Sequence, residues 1–171
     1  MPPAWVFLDR DGTLNESPAP HEYVLHPDAL VLLPGAGEAV RRLNDAGVWA
    51  GIVTNQRCVG LGLLTEQSLN AVHERMRELL AAHGAHVDGI WVCPHLEGAC
   101  TCRKPQPGLL LEAQRTIPEI DFANAALVGD SAADVAAGNA VGVTTIRLGS
   151  EIGEATFLAP DVSAAIDLLL D

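Results

Sequence analysis

Basic residues are scarce in this chain. Lys104 is the only lysine, and lysine and arginine together number 10 against 22 acids, for a net charge of −12. That balance argues against nucleic-acid backbones and anionic membranes as general partners. It also means that an anionic substrate must be met by cations gathered locally. Aromatic residues make up only 4%, so Leu, Val, Ala and Ile must fill the core. No stretch reaches the roughly 18 consecutive apolar residues of a membrane span. The N-terminus has neither the basic region nor the long apolar run of a signal peptide, with the first acid already at Asp9, so the expected compartment is the cytoplasm. Cysteines are few, yet Cys93, Cys100 and Cys102 fall within ten residues. That clustering suits a metal better than a disulfide framework.

What remains is a globular composition, 49% hydrophobic and 19% charged over 171 residues, enough to bury a substantial core. No repeat, low-complexity tract or linker interrupts it, and one domain over residues 1–171 is expected. Short apolar runs alternate with helix-period stretches, the pattern of an α/β fold with a Rossmann-like parallel sheet flanked by helices. Strands are expected at Ala4 to Leu8, Trp49 to Val53, Ile90 to Cys93, Ala126 to Val128 and Thr144 to Leu148. Helices are expected around Ala39 to Ala46, along the stripe Leu69 to Leu80 with Thr65 as N-cap, after Pro107, after Ser131, and over Val162 to Leu170 behind Asp161. The irregular stretch 15–34, with four prolines, has the length of a binding loop.

Ligands of open parallel sheets bind outside the carboxyl ends of the strands. The residues following each strand are Asp9-Arg10-Asp11, then Thr54-Asn55, then Cys93 to Lys104, then Asp130. Carboxylates, a hydroxyl, an amide and cations therefore converge on one edge. Any one of "DGT" or "GDS" alone reads as a turn or cap; four such stretches in order do not.

This constellation resembles the haloacid dehalogenase superfamily of phosphatases, with "DRDGTLN", "VTN", Lys104 and "GDSAAD" standing for its four motifs across most of the chain. The resemblance implies that Asp9 is the nucleophile of a phosphoryl transfer and forms an aspartyl-phosphate. Asp11 would protonate the leaving oxygen and then activate water, while Lys104 and Thr54 would serve the phosphoryl group. A carboxylate approaching a phosphate is repelled, by about 4 kcal/mol for unit charges 4 Å apart at an effective dielectric of 20, which calls for a divalent cation. The resemblance assigns Mg²⁺ to the Asp9 carboxylate, the Asp11 main-chain carbonyl and Asp130, with Asp134 in support.

A second constellation, "CPHLEGACTC", offers Cys93, His95, Cys100 and Cys102. This Cys₃His set suits a closed, structural Zn²⁺ site; the plainer reading is a group of reduced thiols or a labile disulfide. It resembles the zinc loop (93–102) of two related phosphatase groups, acting on heptose bisphosphate and on histidinol phosphate, which also carry the "CRKP" found here. Arg103 and Arg10 are candidate substrate contacts beside Asn55, although arginines are usually solvated. Ser131 departs from the basic residue expected after "GD" in these groups. Cys58 reads as a free thiol, and the histidines outside the zinc loop as surface or satisfied core residues. The intervals between motifs leave no room for a cap domain. The expectation is a Mg²⁺-dependent, zinc-stabilised, monomeric phosphatase for a small phosphorylated metabolite. A heptose bisphosphate is preferred, with histidinol phosphate as the alternative and a binding protein without turnover as the alternative of another class.

Overall fold

The computed structural model describes residues 1–171. Its strands are β1 (Trp5–Leu8), β2 (Trp49–Asn55), β3 (Gly89–Cys93), β4 (Ala125–Gly129), β5 (Thr144–Leu148) and β6 (Phe157–Ala159). Its helices are α1 (Ala36–Asp45), α2 (Glu66–Ala81), α3 (Gly108–Thr116), α4 (Ala132–Val141) and α5 (Val162–Leu170). All six strands run parallel in the order β3-β2-β1-β4-β5-β6. No helix is long and apolar enough to cross a membrane.

Alternation along each strand sends side chains to opposite faces of the sheet. Val6, Leu8, Ile52, Val128 and Ile146 pack beneath α1, α2 and α5. Trp5, Phe7, Val53 and Leu127 pack against Leu109, Leu110 and Ala113 of α3. Burial on both faces is why the strands read as apolar runs and not as alternating ones.

The helix starts follow local chemistry. Thr65 accepts from the Ser68 main chain at 3.1 Å and Asp161 from Ala164 at 2.9 Å, satisfying N–H groups that a first turn leaves free. Ser131 and Asp134 form a reciprocal capping box on α4. Strand β6 has no counterpart in the sequence pattern. It is three residues long, with Phe157 and Leu158 exposed, and pairing with β5 supplies the order that periodicity could not signal.

Strand order places the site. The chain runs from β1 outward through β2 and β3, then returns to β4 on the other side of β1. The crevice at such a reversal is where α/β sheets bind ligands. Register brings Leu8 beside Val128, so Asp9 and Asp130 leave neighbouring strand ends together.

Candidate active site

Lys104 holds the centre. The Asn55 side-chain amide donates to the Lys104 carbonyl and its Oδ1 accepts from the Lys104 N–H, both at 3.0 Å. That latch fixes the loop from which the lysine enters. Lys104 Nζ then donates to Asp9 Oδ1 at 2.7 Å, Asp134 Oδ1 at 2.5 Å and the Val53 carbonyl at 2.8 Å, using all three of its protons. Burial opposes the lysine's charge, but Asp9 and Asp134 outweigh it and raise its pKa. Burial lifts Asp9 to about 7, Lys104 pulling down and Asp134 pushing up. Asp130 is raised as well, by burial and by Asp134.

One ammonium thus faces three carboxylates, and the deficit is what a divalent cation supplies. Carboxylate oxygens of Asp9, Asp130 and Asp134 lie within 4.8 Å of one another, an all-oxygen set of the kind Mg²⁺ selects. Asp130 folds over the main chain at Gly12. A Cβ there would meet Asp130 Oδ2 at 2.1 Å, and Gly12 has φ 85°, so no other residue fits the turn. Asp134 is otherwise committed. Besides Lys104, it accepts from Ser131 N–H at 3.1 Å and Ser131 Oγ at 2.6 Å. Its oxygens are satisfied without a metal, and its support reaches Asp9 through Lys104.

Asp11 is part-buried, and its carboxylate collects four donor groups. Arg10 Nε and Nη2 reach Oδ1 at 3.1 and 3.0 Å, Asn15 Nδ2 reaches Oδ1 at 2.8 Å, and Gln56 Nε2 reaches Oδ2 at 2.9 Å. Gln56 also donates to Thr54 Oγ1 at 2.9 Å, tying Thr54 to the same network. Here the expectation for Arg10 needs correction. Its side chain is fully buried, with Nη1 on His73 Nε2 at 3.0 Å. Every edge of the guanidinium is spent inside the protein, so it faces Asp11 and not a substrate. Asn55, likewise, spends its amide on Lys104.

Asn15, Gln56 and His73 were not singled out from sequence. Asn15 closes the "DRDGTLN" stretch and Gln56 directly follows "VTN", a signal that adjacency offered. His73 shares the buried helical face of Leu69 and Met76, which signalled burial but no partner.

The four residues of the second constellation also converge. Cys93 Sγ lies 3.5 Å from Cys100 Sγ and 3.7 Å from His95 Nδ1. Cys102 Sγ lies 3.3 Å from Cys100 Sγ and 3.2 Å from His95 Nδ1. A tetrahedron with metal–sulfur bonds of about 2.3 Å has edges of about 3.8 Å, so the cage needs little adjustment to hold zinc. Burial and the neighbouring Cys93 and Cys100 sulfurs push the Cys102 thiol up to about 12, a cost that a cation in the cage would reverse. Gly108, opening α3, lets the loop close, since a Cβ there would meet the Thr101 carbonyl at 2.4 Å.

Between the two centres opens a cleft of about 510 Å³, lined by Asn55, Glu97, Arg103, Lys104, Gln106 and Ser131 among others. Arg103 Nη1 is buried beside it with no hydrogen-bond partner.

Known proteins resemble this chain in sequence and fold. A HAD-hydrolase-like family model matches residues 101–167. The D-glycero-beta-D-manno-heptose-1,7-bisphosphate 7-phosphatase of Rhodopseudomonas palustris is 39% identical over 154 residues, covering 85% of this chain and 83% of that protein. The D-glycero-alpha-D-manno-heptose-1,7-bisphosphate 7-phosphatase of Mycobacterium bovis is 37% identical over 131 residues, covering 76% and 68%. The crystal structure of the D,D-heptose 1,7-bisphosphate phosphatase of B. bronchiseptica, complexed with magnesium and phosphate, superposes with a TM-score of 0.89 at 33% identity, covering 97% of each chain. With carboxylates, lysine and cysteine cage on the strand ends of the same fold, the chain belongs to the haloacid dehalogenase-like phosphatases, in the group of the heptose-1,7-bisphosphate 7-phosphatases.

Proposed function

We propose that this enzyme hydrolyses the 7-phosphate of a D-glycero-D-manno-heptose 1,7-bisphosphate through an aspartyl-phosphate on Asp9. The observation that carries the reading is Asp9 itself: a nearly buried carboxylate at the end of β1, paired with Lys104 and adjacent to Asp130. The relatives' shared substrate supports the sugar in preference to histidinol phosphate.

An Asp9 carboxylate oxygen attacks phosphorus while the bond to the C7 oxygen breaks, and Asp11 delivers a proton to that oxygen. Asp11 then takes a proton from water as the water oxygen attacks the aspartyl-phosphate, releasing inorganic phosphate and restoring Asp9. Lys104 holds Asp9 in line, and Thr54 with nearby main-chain N–H groups receives the phosphoryl oxygens. Asp9, Asp130 and the Asp11 carbonyl would hold Mg²⁺, whose charge would offset the repulsion between nucleophile and phosphate. Arg103, with its unsatisfied Nη1, binds oxygens of the substrate beyond the scissile phosphate. Cys93, His95, Cys100 and Cys102 would hold zinc, which would stiffen the loop that presents Arg103 and Lys104. Residues 1–171 act as one catalytic unit. A monomeric, cytoplasmic enzyme fits the acidic surface and the unpaired cysteines.

Phosphate release from both anomers of heptose 1,7-bisphosphate, from histidinol phosphate and from p-nitrophenyl phosphate tests the assignment. A higher kcat/KM for histidinol phosphate than for either anomer would overturn it. Arg103→Ala is expected to lower kcat/KM for the sugar by roughly ten- to hundredfold, the worth of a charged hydrogen bond, and to spare the aryl phosphate. Equal losses on both would place Arg103 in the phosphate site instead.

Purified protein is expected to hold about one zinc per chain, and Cys100→Ser to lower zinc content and thermal stability together. Metal analysis finding no zinc in active, chelator-free protein would refute the site.

Magnesium binding should also depend on pH. In metal-free protein Asp9 sits at about 7 against an ordinary 3.8. Its folded pKa is raised, so the proton favours the fold: that stabilisation is full below the ordinary value and lost as pH climbs through the folded one. The metal competes with this proton. The gain in Tm on adding Mg²⁺ is therefore expected to grow from about pH 5 to about pH 8. A gain that shrinks over this range would contradict the assignment of Asp9 as a ligand.

A further inference from the structure

His73, on the buried face of α2, is 5% exposed and takes no part in the chemistry above. Its Nε2 stands 3.0 Å from Arg10 Nη1. A guanidinium can only donate, so Nε2 accepts and the ring proton rests on Nδ1. Burial, with Arg10 next, lowers the imidazole to about 4, in keeping with a neutral acceptor. Arg10 is 0% exposed, and its other two nitrogens run to the Asp11 carboxylate. A planar fork anchored on one edge by a carboxylate and at its far nitrogen by an imidazole has a single orientation. In chain order, the contact joins the middle of α2 to the turn after β1, two segments 63 residues apart.

We infer that His73 is a positioning residue for leaving-group protonation: by accepting from Arg10 Nη1 it fixes the guanidinium plane that sets the Asp11 carboxylate. This rests on the assignment of Asp11 as acid and base. Remove the acceptor, and the buried Nη1 N–H loses its only partner. The guanidinium then tilts toward another acceptor, and the carboxylate it grips tilts with it. Asn15 and Gln56 each hold Asp11 by a single N–H, so the loss is partial and not complete.

Two amides distinguish this role from plain core packing. In glutamine the side-chain oxygen can reach the place of imidazole Nε2; in asparagine it stops near Nδ1, short of Arg10. Both are polar and both disturb the core. His73→Gln is expected to keep kcat within about threefold of the parent, and His73→Asn to lower it roughly tenfold with KM little changed. The sharper readout is leaving-group dependence. Expulsion of an alkoxide from the sugar phosphate needs the acid, whereas p-nitrophenolate leaves without much help. Read as kcat/KM, which reports formation of the aspartyl-phosphate and not its hydrolysis, the His73→Asn deficit is therefore expected on heptose bisphosphate and to be nearly absent on p-nitrophenyl phosphate. Asp11→Asn serves as the control and should show the same pattern, more severely. His73→Asn added to Asp11→Asn should cost nothing further, because its effect runs through Asp11. Equal losses for the glutamine and asparagine variants, or equal losses in kcat/KM on both substrates, overturn the inference while the Asp11 control still shows its leaving-group dependence in kcat/KM. If the control shows none, the assignment of Asp11 fails and the inference falls with it. Thermal melts of the two His73 variants guard against misfolding; an asparagine variant that does not fold beside a folded, active glutamine variant points to packing and also counts against the proposal.

Discussion

Asp9→Asn is expected to lower turnover by at least about a thousandfold, since the variant has no charged oxygen to attack phosphorus. The fold should survive. The carboxylate is nearly buried and lifted to about 7, burial being the larger cause, so an amide of the same shape removes a charge that the interior disfavours. Without metal, at neutral pH, the Tm of the variant should equal or exceed that of the parent. With Mg²⁺ the order should reverse, because one of the metal's carboxylates is missing. Phosphate release and thermal unfolding with and without Mg²⁺ measure both parts. Intact-mass analysis of quenched reactions should find a phosphorylated parent and an unmodified variant. Turnover within tenfold of the parent would end the case for Asp9 as nucleophile.

Lys104→Met is expected to be the costliest substitution for stability. Lys104 is 5% exposed and its ammonium joins Asp9 to Asp134, so its removal leaves two buried carboxylates facing one another. Breaking a buried pair from one side costs about 3–5 kcal/mol, a large share of a domain's stability. The sign with pH follows. Without the lysine, Asp9 loses the charge that pulls its raised pKa down and is pushed further toward its neutral form, so the variant should gain stability relative to the parent as pH falls. Turnover should fall on sugar and aryl phosphates alike, because Lys104 serves the nucleophile common to both. Urea unfolding at neutral and mildly acidic pH measures the first part. A loss under about 1 kcal/mol would mean that Asp9 and Asp134 are held by something other than this lysine.

Much of this protein follows from short stretches of chain. Strands buried on both faces must be apolar runs, so five of the six were visible, and Thr65, Ser131 and Asp161 marked helix starts because caps act within a few residues. The carboxylates at the ends of β1 and β4 and the lysine before Pro105 were legible because a charge at the end of a buried run needs a partner, and the four zinc-loop ligands because thiols and imidazole cluster for a metal. Strand β6 was not legible, since three residues, two exposed and one buried, are too few to carry a period. Neither was the division of labour inside the site. Arg10 has the same composition whether it meets a substrate or a carboxylate, and only the packing of α2, which delivers His73 across 63 residues, turned it inward onto Asp11. Asn55 and Asp134 were likewise legible as polar residues near the site, but hydrogen bonds to the Lys104 loop and to its ammonium decided that they position the lysine. Residue types and their local spacing determined which chemistry is present. Contacts between segments distant in sequence, absent from any local pattern, decided which side chain each group serves.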